Sequence, residues 1–213
     1  VASLFGLRHM DEGEVILEGK TIDNSTPHKA MKNGFALVTE ERRATGIFEM
    51  ADIKFNSCSA NIENYVNNYG LLNDKSMEID TDLQIKAMSI KTPNQKELIR
   101  NLSGGNQQKV IIGRWLLRNP DILLLDEPTR GVDVGAAQFI REKLVQLRDE
   151  KSGIILVSAD LNEVFELCDR LLVMYKGDFV AYFENIADLD EFTLGKFMLG
   201  LERHEDVSGV EHE

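Results

Sequence analysis

The 213-residue chain contains two cysteines, four prolines and a single tryptophan. Cys58 and Cys168 are far apart, and neither sits in a CxxC or a mixed Cys/His array. That excludes a disulfide framework and a zinc site, and a reducing cytosol fits best. The four histidines, His9, His28, His204 and His212, are scattered and read as solvated surface positions, so no metal cluster emerges from them. Positive charge is also short. With 24 Lys and Arg against 36 Asp and Glu, the net charge is -12 and the pI about 4.9. A nucleic-acid partner is therefore excluded, because phosphate backbones select basic surfaces. Long apolar runs are missing too: residues 122–125 and 153–157 are strand-length, far below the ~20 residues that cross a bilayer. The opening Val1-Ala2-Ser3-Leu4-Phe5 has no initiator Met, no basic n-region and no cleavage pattern, as expected for the interior of a longer polypeptide.

Against these absences stands a hydrophobic content of 43%, enough for one domain with a small subdomain. Residues 1–7 read as the last turns of a helix, 13–20 as a short alternating strand and 35–38 as another strand. The polar stretch 53–91 carries Ile79, Leu83, Ala87 and Ile90 at helical spacing, which predicts a helical subdomain spanning about 53–105. Pro93 ends the periodic stretch. Helix is predicted over 106–118, strand over 122–125, helix over 136–150, strand over 154–157 and helix over 161–167. A hairpin, 171–174 then 179–183 around Lys176-Gly177, follows. Alternating strand and helix imply an α/β fold with a mostly parallel sheet, whose ligands bind beyond the carboxyl ends of the strands. The domain is expected to occupy 1–201, with an acidic, frayed tail at 202–213.

Two segments carry chemistry. Leu102-Ser103-Gly104-Gly105-Asn106-Gln107-Gln108-Lys109 sets a hydroxyl and two glycines at a helix start. Free backbone N–H groups and the positive end of the helix dipole converge there, and glycines let an anion approach. A Ser-capped helix start is the simpler reading of SGG alone. Further on, Ile122-Leu123-Leu124-Leu125-Asp126-Glu127-Pro128 ends a buried strand in two carboxylates. Asp126 is placed to hold magnesium, usually through water, and Glu127 to polarise a water attacking a γ-phosphate. In isolation, a capping turn explains that DEP equally well. The two motifs in this order make coincidence remote.

LSGGNQQ followed by LLLDEPTRGVD resembles the signature and the Walker B to D-loop region of ABC ATPases. GNQQK with DEPTRGVDVG, and the upstream Glu40-Glu41-Arg42-Arg43-Ala44-Thr45-Gly46-Ile47-Phe48, resemble the second ATPase half of bacterial two-domain sugar-import proteins. The resemblance runs from Leu4 to about Val180. It implies an ABC-type P-loop NTPase core, with ATP and Mg2+ as ligands, in a head-to-tail dimer with the N-terminal ABC domain of the same polypeptide. On that mapping Ser103, Gly104, Gly105 and Gln107 bind a nucleotide held by the partner domain, and Asp133 lies on the dimer seam. Asp126 and Glu40 ligate the metal, and Glu127 is catalytic. Membrane permease subunits, and indirectly a periplasmic sugar-binding protein, are the further partners implied. The implied location is peripheral, on the cytoplasmic face of the inner membrane.

Three departures from the pattern matter. No G-x-x-x-x-G-K-[ST] loop is present, and the resemblance puts it just before Val1. Gly13-Glu14-Val15-Ile16-Leu17-Glu18-Gly19-Lys20-Thr21 ends in GKT, but it has five residues between its glycines and Asp23-Asn24-Ser25 and Pro27 after it, where a helix is needed. Where the family usually has a histidine sensing the γ-phosphate, the sequence reads Ser158-Ala159-Asp160. Glu40 replaces a usual glutamine and adds negative charge near phosphates. These departures predict a slow or silent local site, and a nonhydrolytic regulatory or scaffolding ABC domain is the alternative reading.

Overall fold

The computed structural model describes residues 1–204 and Val207. His212 and most of the acidic tail lie outside the described residues. The chain divides into two compact units, Val1–Val157 and Ser158–Glu213.

In the first unit, residues 1–7 have the hydrogen bonding of a helix end. Leu7 N–H reaches Ala2 O at 2.9 Å and Gly6 N–H reaches Ser3 O at 3.0 Å, with Gly6 at φ +76°. This is the paired closure that a left-handed glycine permits. The expected single strand over 13–20 is instead a hairpin, β1 (Val15–Leu17) against β2 (Lys20–Ile22). Glu18 and Gly19 both take positive φ, 50° and 72°, the twist that tight hairpin turns require. Alternation alone does not reveal a turn whose first residue is a glutamate.

After α1 (Pro27–Lys32), capped by Thr26, come β3 (Phe35–Val38), β4 (Ile122–Asp126) and β5 (Gly153–Val157). They form a parallel sheet in the order β3-β4-β5, with Val38 opposite Leu125 and Asp126 opposite Val157. Central β4 buries Leu123, Leu124 and Leu125, as a strand covered on both faces must. Phe5, Ala30, Phe35, Leu37 and Leu124 form one core cluster, with Trp115 edge-on to Phe5 at 5.5 Å. On β5, Ile155 and Val157 remain 43% and 44% exposed.

Helices α2 (Ile53–Cys58), α3 (Asp74–Ala87) and α4 (Gly104–Leu116) pack together between β3 and β4 in the chain. The stripe expected on α3 is corrected in part: Ile79 and Leu83 are exposed, while Met77, Thr81 and the following Met88 are buried. Thr81 can be buried because its hydroxyl donates to Met77 O at 2.7 Å, so a polar residue hides the true inner face from a hydrophobicity reading. Helix α5 (Val134–Asp149) links β4 to β5 and buries Ala136, Ile140 and Leu144 at a four-residue spacing.

The second unit holds α6 (Leu161–Leu167), the hairpin β6 (Leu171–Tyr175) and β7 (Asp178–Phe183), and α7 (Glu191–Met198). Helix α7 is an addition to the predicted elements. Its Asp190 cap accepts from Thr193 N–H at 2.9 Å, and Leu194 and Phe197 pack on Val173, Val180 and Ala181. His204, expected on the solvated surface, is half-buried with its ring 4.9 Å from those of both Phe183 and Phe197. It accepts from Tyr182 N–H at 3.4 Å, so the aromatic contacts and one backbone bond draw it inward.

Candidate nucleotide site

Helix α4 begins where the sequence puts it. Ser103, with extended φ and ψ of −60° and 156°, caps it, its Oγ accepting from Asn106 N–H at 3.4 Å and from the Asn106 amide at 2.9 Å. The Gly104 and Gly105 N–H groups have no acceptor among the described residues, leaving them free for an anion. Neither position admits a side chain. A Cβ on Gly105 would stand 2.5 Å from Ala136 Cβ and 2.8 Å from Asp133 Oδ2, and one on Gly104 would stand 3.1 Å from Gly131 O. Gln107 lies beneath this turn, 2% exposed, and its amide donates to Ile99 O at 3.1 Å and Leu102 O at 3.2 Å. Asp133 is exposed and caps α5, accepting from Ala136 N–H at 3.0 Å. Signature and D-loop segments therefore meet at the starts of two helices.

Asp126 and Glu127 follow from β4. Asp126 is the last strand residue, half-buried and registered with Val157. Glu127 turns the chain out of the sheet at φ +49°, a left-handed conformation costing a non-glycine residue about 1–2 kcal/mol. Its N–H donates to Val157 O at 2.8 Å, and its carbonyl accepts from Arg130 N–H at 3.1 Å. Such strain persists where the surroundings over-determine it, and it concentrates at functional sites.

Glu40 sits in the loop after β3, ion-paired with Arg130 in the loop after β4. Because Val38 is opposite Leu125, Asp126 is one residue past the paired ends and Glu40 two past them on the neighbouring strand. The structure thus brings both predicted metal carboxylates to the same end of the sheet. Among the described residues no group of three or more His, Cys, Asp or Glu side chains is placed to hold a metal. Two hard oxygen donors fit magnesium, which takes one or two carboxylates, substrate phosphates and several waters.

The arginines of this region were not singled out by their own chemistry in the sequence. Arg42 opens a π-helical turn, Arg42–Gly46, and donates from Nε to Gln107 Oε1 at 3.2 Å. Glu40, Glu41, Arg42, Arg43 and Arg130 line one open cavity of about 300 Å3. The signal available was the density of charge in Glu40-Glu41-Arg42-Arg43, which served only as part of a family resemblance. The GKT segment is elsewhere: Lys20 and Thr21 belong to β2, and Thr21 donates to Glu14 at 2.7 Å. Ala159 belongs to the second unit, one residue before the Asp160 cap of α6.

A glycine-opened helix, a strand ending in Asp-Glu and a parallel α/β sheet together define a P-loop ATPase of the ABC class. Residues 1–130 match the family model described as ABC transporter, and the chain belongs to that family. It is 57% identical over 175 residues to the galactose/methyl galactoside import ATP-binding protein MglA of Clostridium perfringens, covering 82% of this chain and 34% of that protein. It is 52% identical to the galactose/methyl galactoside import ATP-binding protein MglA 2 of Photobacterium profundum, covering 83% of this chain and 35% of that protein. The chain thus spans about a third of the length of the curated relatives it matches. Among solved structures, a dimeric post-hydrolysis ATP-binding cassette bound to ADP and Pi aligns at TM-score 0.71 with 21% identity, over 85% of this chain and 77% of that one. A nucleotide-free ATP-binding cassette from an ABC transporter aligns at TM-score 0.71 with 22% identity, over 99% and 80%. These likenesses are of fold. No helix of the described residues is long and apolar enough to cross a membrane.

Proposed function

We propose that the chain is the C-terminal ATPase half of a two-domain protein that powers carbohydrate import, lending its signature turn to the ATP site of the N-terminal half. The observation that carries this is the start of α4, where free Gly104 and Gly105 amides, the Ser103 hydroxyl and the helix dipole converge on one point. In a head-to-tail dimer, that point receives the γ-phosphate of the partner's nucleotide, with Gln107 holding the turn from below and Asp133 on the seam. Asp126 and Glu40 serve this half's own nucleotide and hold its magnesium, which supplies charge neutralisation between phosphate oxygens. Glu40 reaches it only after releasing Arg130. Glu127 orients and polarises the attacking water.

The identity to import proteins for galactose and methyl galactoside supports a sugar as cargo and permease subunits as partners. A periplasmic binding protein delivers that sugar and never touches this chain, which acts from the cytoplasmic face of the membrane. Ala159, where a hydrogen-bonding side chain would steady the γ-phosphate, favours a second reading, a nonhydrolytic regulatory domain. The test is uptake of labelled methyl galactoside by vesicles holding the permease and the full-length polypeptide with ATP inside. Uptake should require ATP and stop when Ser103 and Gly105 are altered together. Undiminished uptake by that variant would refute the signature role, and ATP binding without any dependence of uptake on hydrolysis would favour the regulatory reading.

A further inference from the structure

Arg42 is a half-buried cation at the positive end of a helix. Its Nη2 lies 2.9 Å from where a Cβ on Gly104 would stand, so the missing side chain makes the room the guanidinium occupies. Its Nε bond to Gln107 fixes its aim, because Gln107 is itself anchored to Ile99 and Leu102. Among the described residues it forms no ion pair, whereas neighbouring Arg130 pairs with Glu40. Burial and then the adjacent Arg43 both press its pKa below the usual value, so the surroundings oppose its charge. The dipole of α4 opposes it as well. A brace for Gln107 needs only a neutral donor. A cation held against two positive neighbours at the mouth of a cavity of about 300 Å3 is a site awaiting an anion.

We propose that Arg42 binds the γ-phosphate of the partner domain's ATP directly, as a side-chain contact added to Ser103 and the first amides of α4. This rests on the signature role assigned to α4 above. With Nε spent on Gln107, the two terminal nitrogens of the fork remain for phosphate oxygens, a geometry that suits a planar guanidinium. Phosphate arrival reverses the sign of each unfavourable term, so the contact is made only when ATP is present and the dimer closes.

The experiment measures ATP and ADP separately on the full-length protein with its permease, because ADP lacks the phosphate concerned. Arg42→Gln is expected to weaken apparent ATP affinity about tenfold or more, the loss of one charge-assisted contact, with ADP affinity unchanged. Arg42→Lys, which keeps the charge without the Nε bond to Gln107, is expected to recover to within about threefold of the parent. Equal losses in both variants would show that Arg42 only braces Gln107 and would overturn the proposal, as would a parallel loss for ADP. Gly105→Asp separates the two ideas. If it is inactive while Arg42→Gln is normal, the Arg42 contact alone is refuted. If both variants behave as the parent, the signature reading fails and takes this one with it.

Discussion

At φ +49°, Glu127 pays a conformational penalty that a glycine or asparagine at the same place would not. The turn it makes delivers a carboxylate beyond the end of β4, where Asp126 already stands, and these two serve this half's own nucleotide. Gly105 serves the other one. With Ala159 leaving the local site poorly equipped, Glu127→Gln should reduce total turnover of the full-length protein little. Gly105→Asp should lower it roughly a hundredfold or more, by analogy with losing one preorganised donor at an oxyanion. The structure adds a steric cause to the electrostatic one, since the new Cβ would meet Ala136 at 2.5 Å and the new carboxylate would face that of Asp133. Steady-state ATPase and transport, with thermal melting to verify folding, decide the matter. Equal losses in the two variants would mean that both sites must fire.

At the scale of elements, the helices that surround α4 present an apolar surface. Phe48 and Phe55 are 52% and 38% exposed and stack edge-on at 5.3 Å, and Met50 stands 72% exposed beside them in the chain. Asn56 pins this edge, accepting from Phe48 N–H at 2.9 Å and donating to Phe48 O at 3.1 Å, while Arg114 of α4 donates to Asn56 O at 2.6 Å. A cytoplasmic permease helix that docks here would be in mechanical contact with the signature helix through those bonds. Single cysteines at Phe48, Met50 and Phe55 should cross-link to the permease, in amounts that change with ATP. Failure at all three would place the permease elsewhere. The strands and the helices α4, α5 and α6 were legible in the sequence to within a residue or two, because their apolar runs and caps agree. The inner face of α3 was not, since a buried threonine breaks the pattern, and neither was the turn at Glu18, where the residue type argues against the conformation. Of the site, the glycines and Asp126-Glu127 were legible from type and spacing. Arg42 was not, because its meaning depends on an approach to Gly104 from sixty-odd positions away in sequence, which only folding supplies.

For the whole molecule, the decisive fact is what its surfaces hold apart: a signature turn made for one nucleotide and carboxylates made for another. No described segment provides a glycine-rich strand–loop–helix cradle, since Gly19-Lys20-Thr21 lies in a hairpin. The chain by itself should therefore bind Mg-ATP weakly and show no hydrolysis above background. Titration calorimetry checks this. Micromolar affinity at one-to-one stoichiometry would contradict it. The sheet carries a further, practical consequence. Strand β5 reads Gly153-Ile154-Ile155-Leu156-Val157, without a charge or a proline, and among the described residues it bonds to β4 on one side only. Edge strands of this kind recruit strands from other molecules unless something blunts them. Here the general brake is mutual repulsion between chains of net charge -12, which salt screens and acidification toward pH 4.9 abolishes. Stocks kept dilute, at low ionic strength and well above that pH should stay clear, and concentrated saline ones should turn cloudy with the fibrillar signature of extended strands.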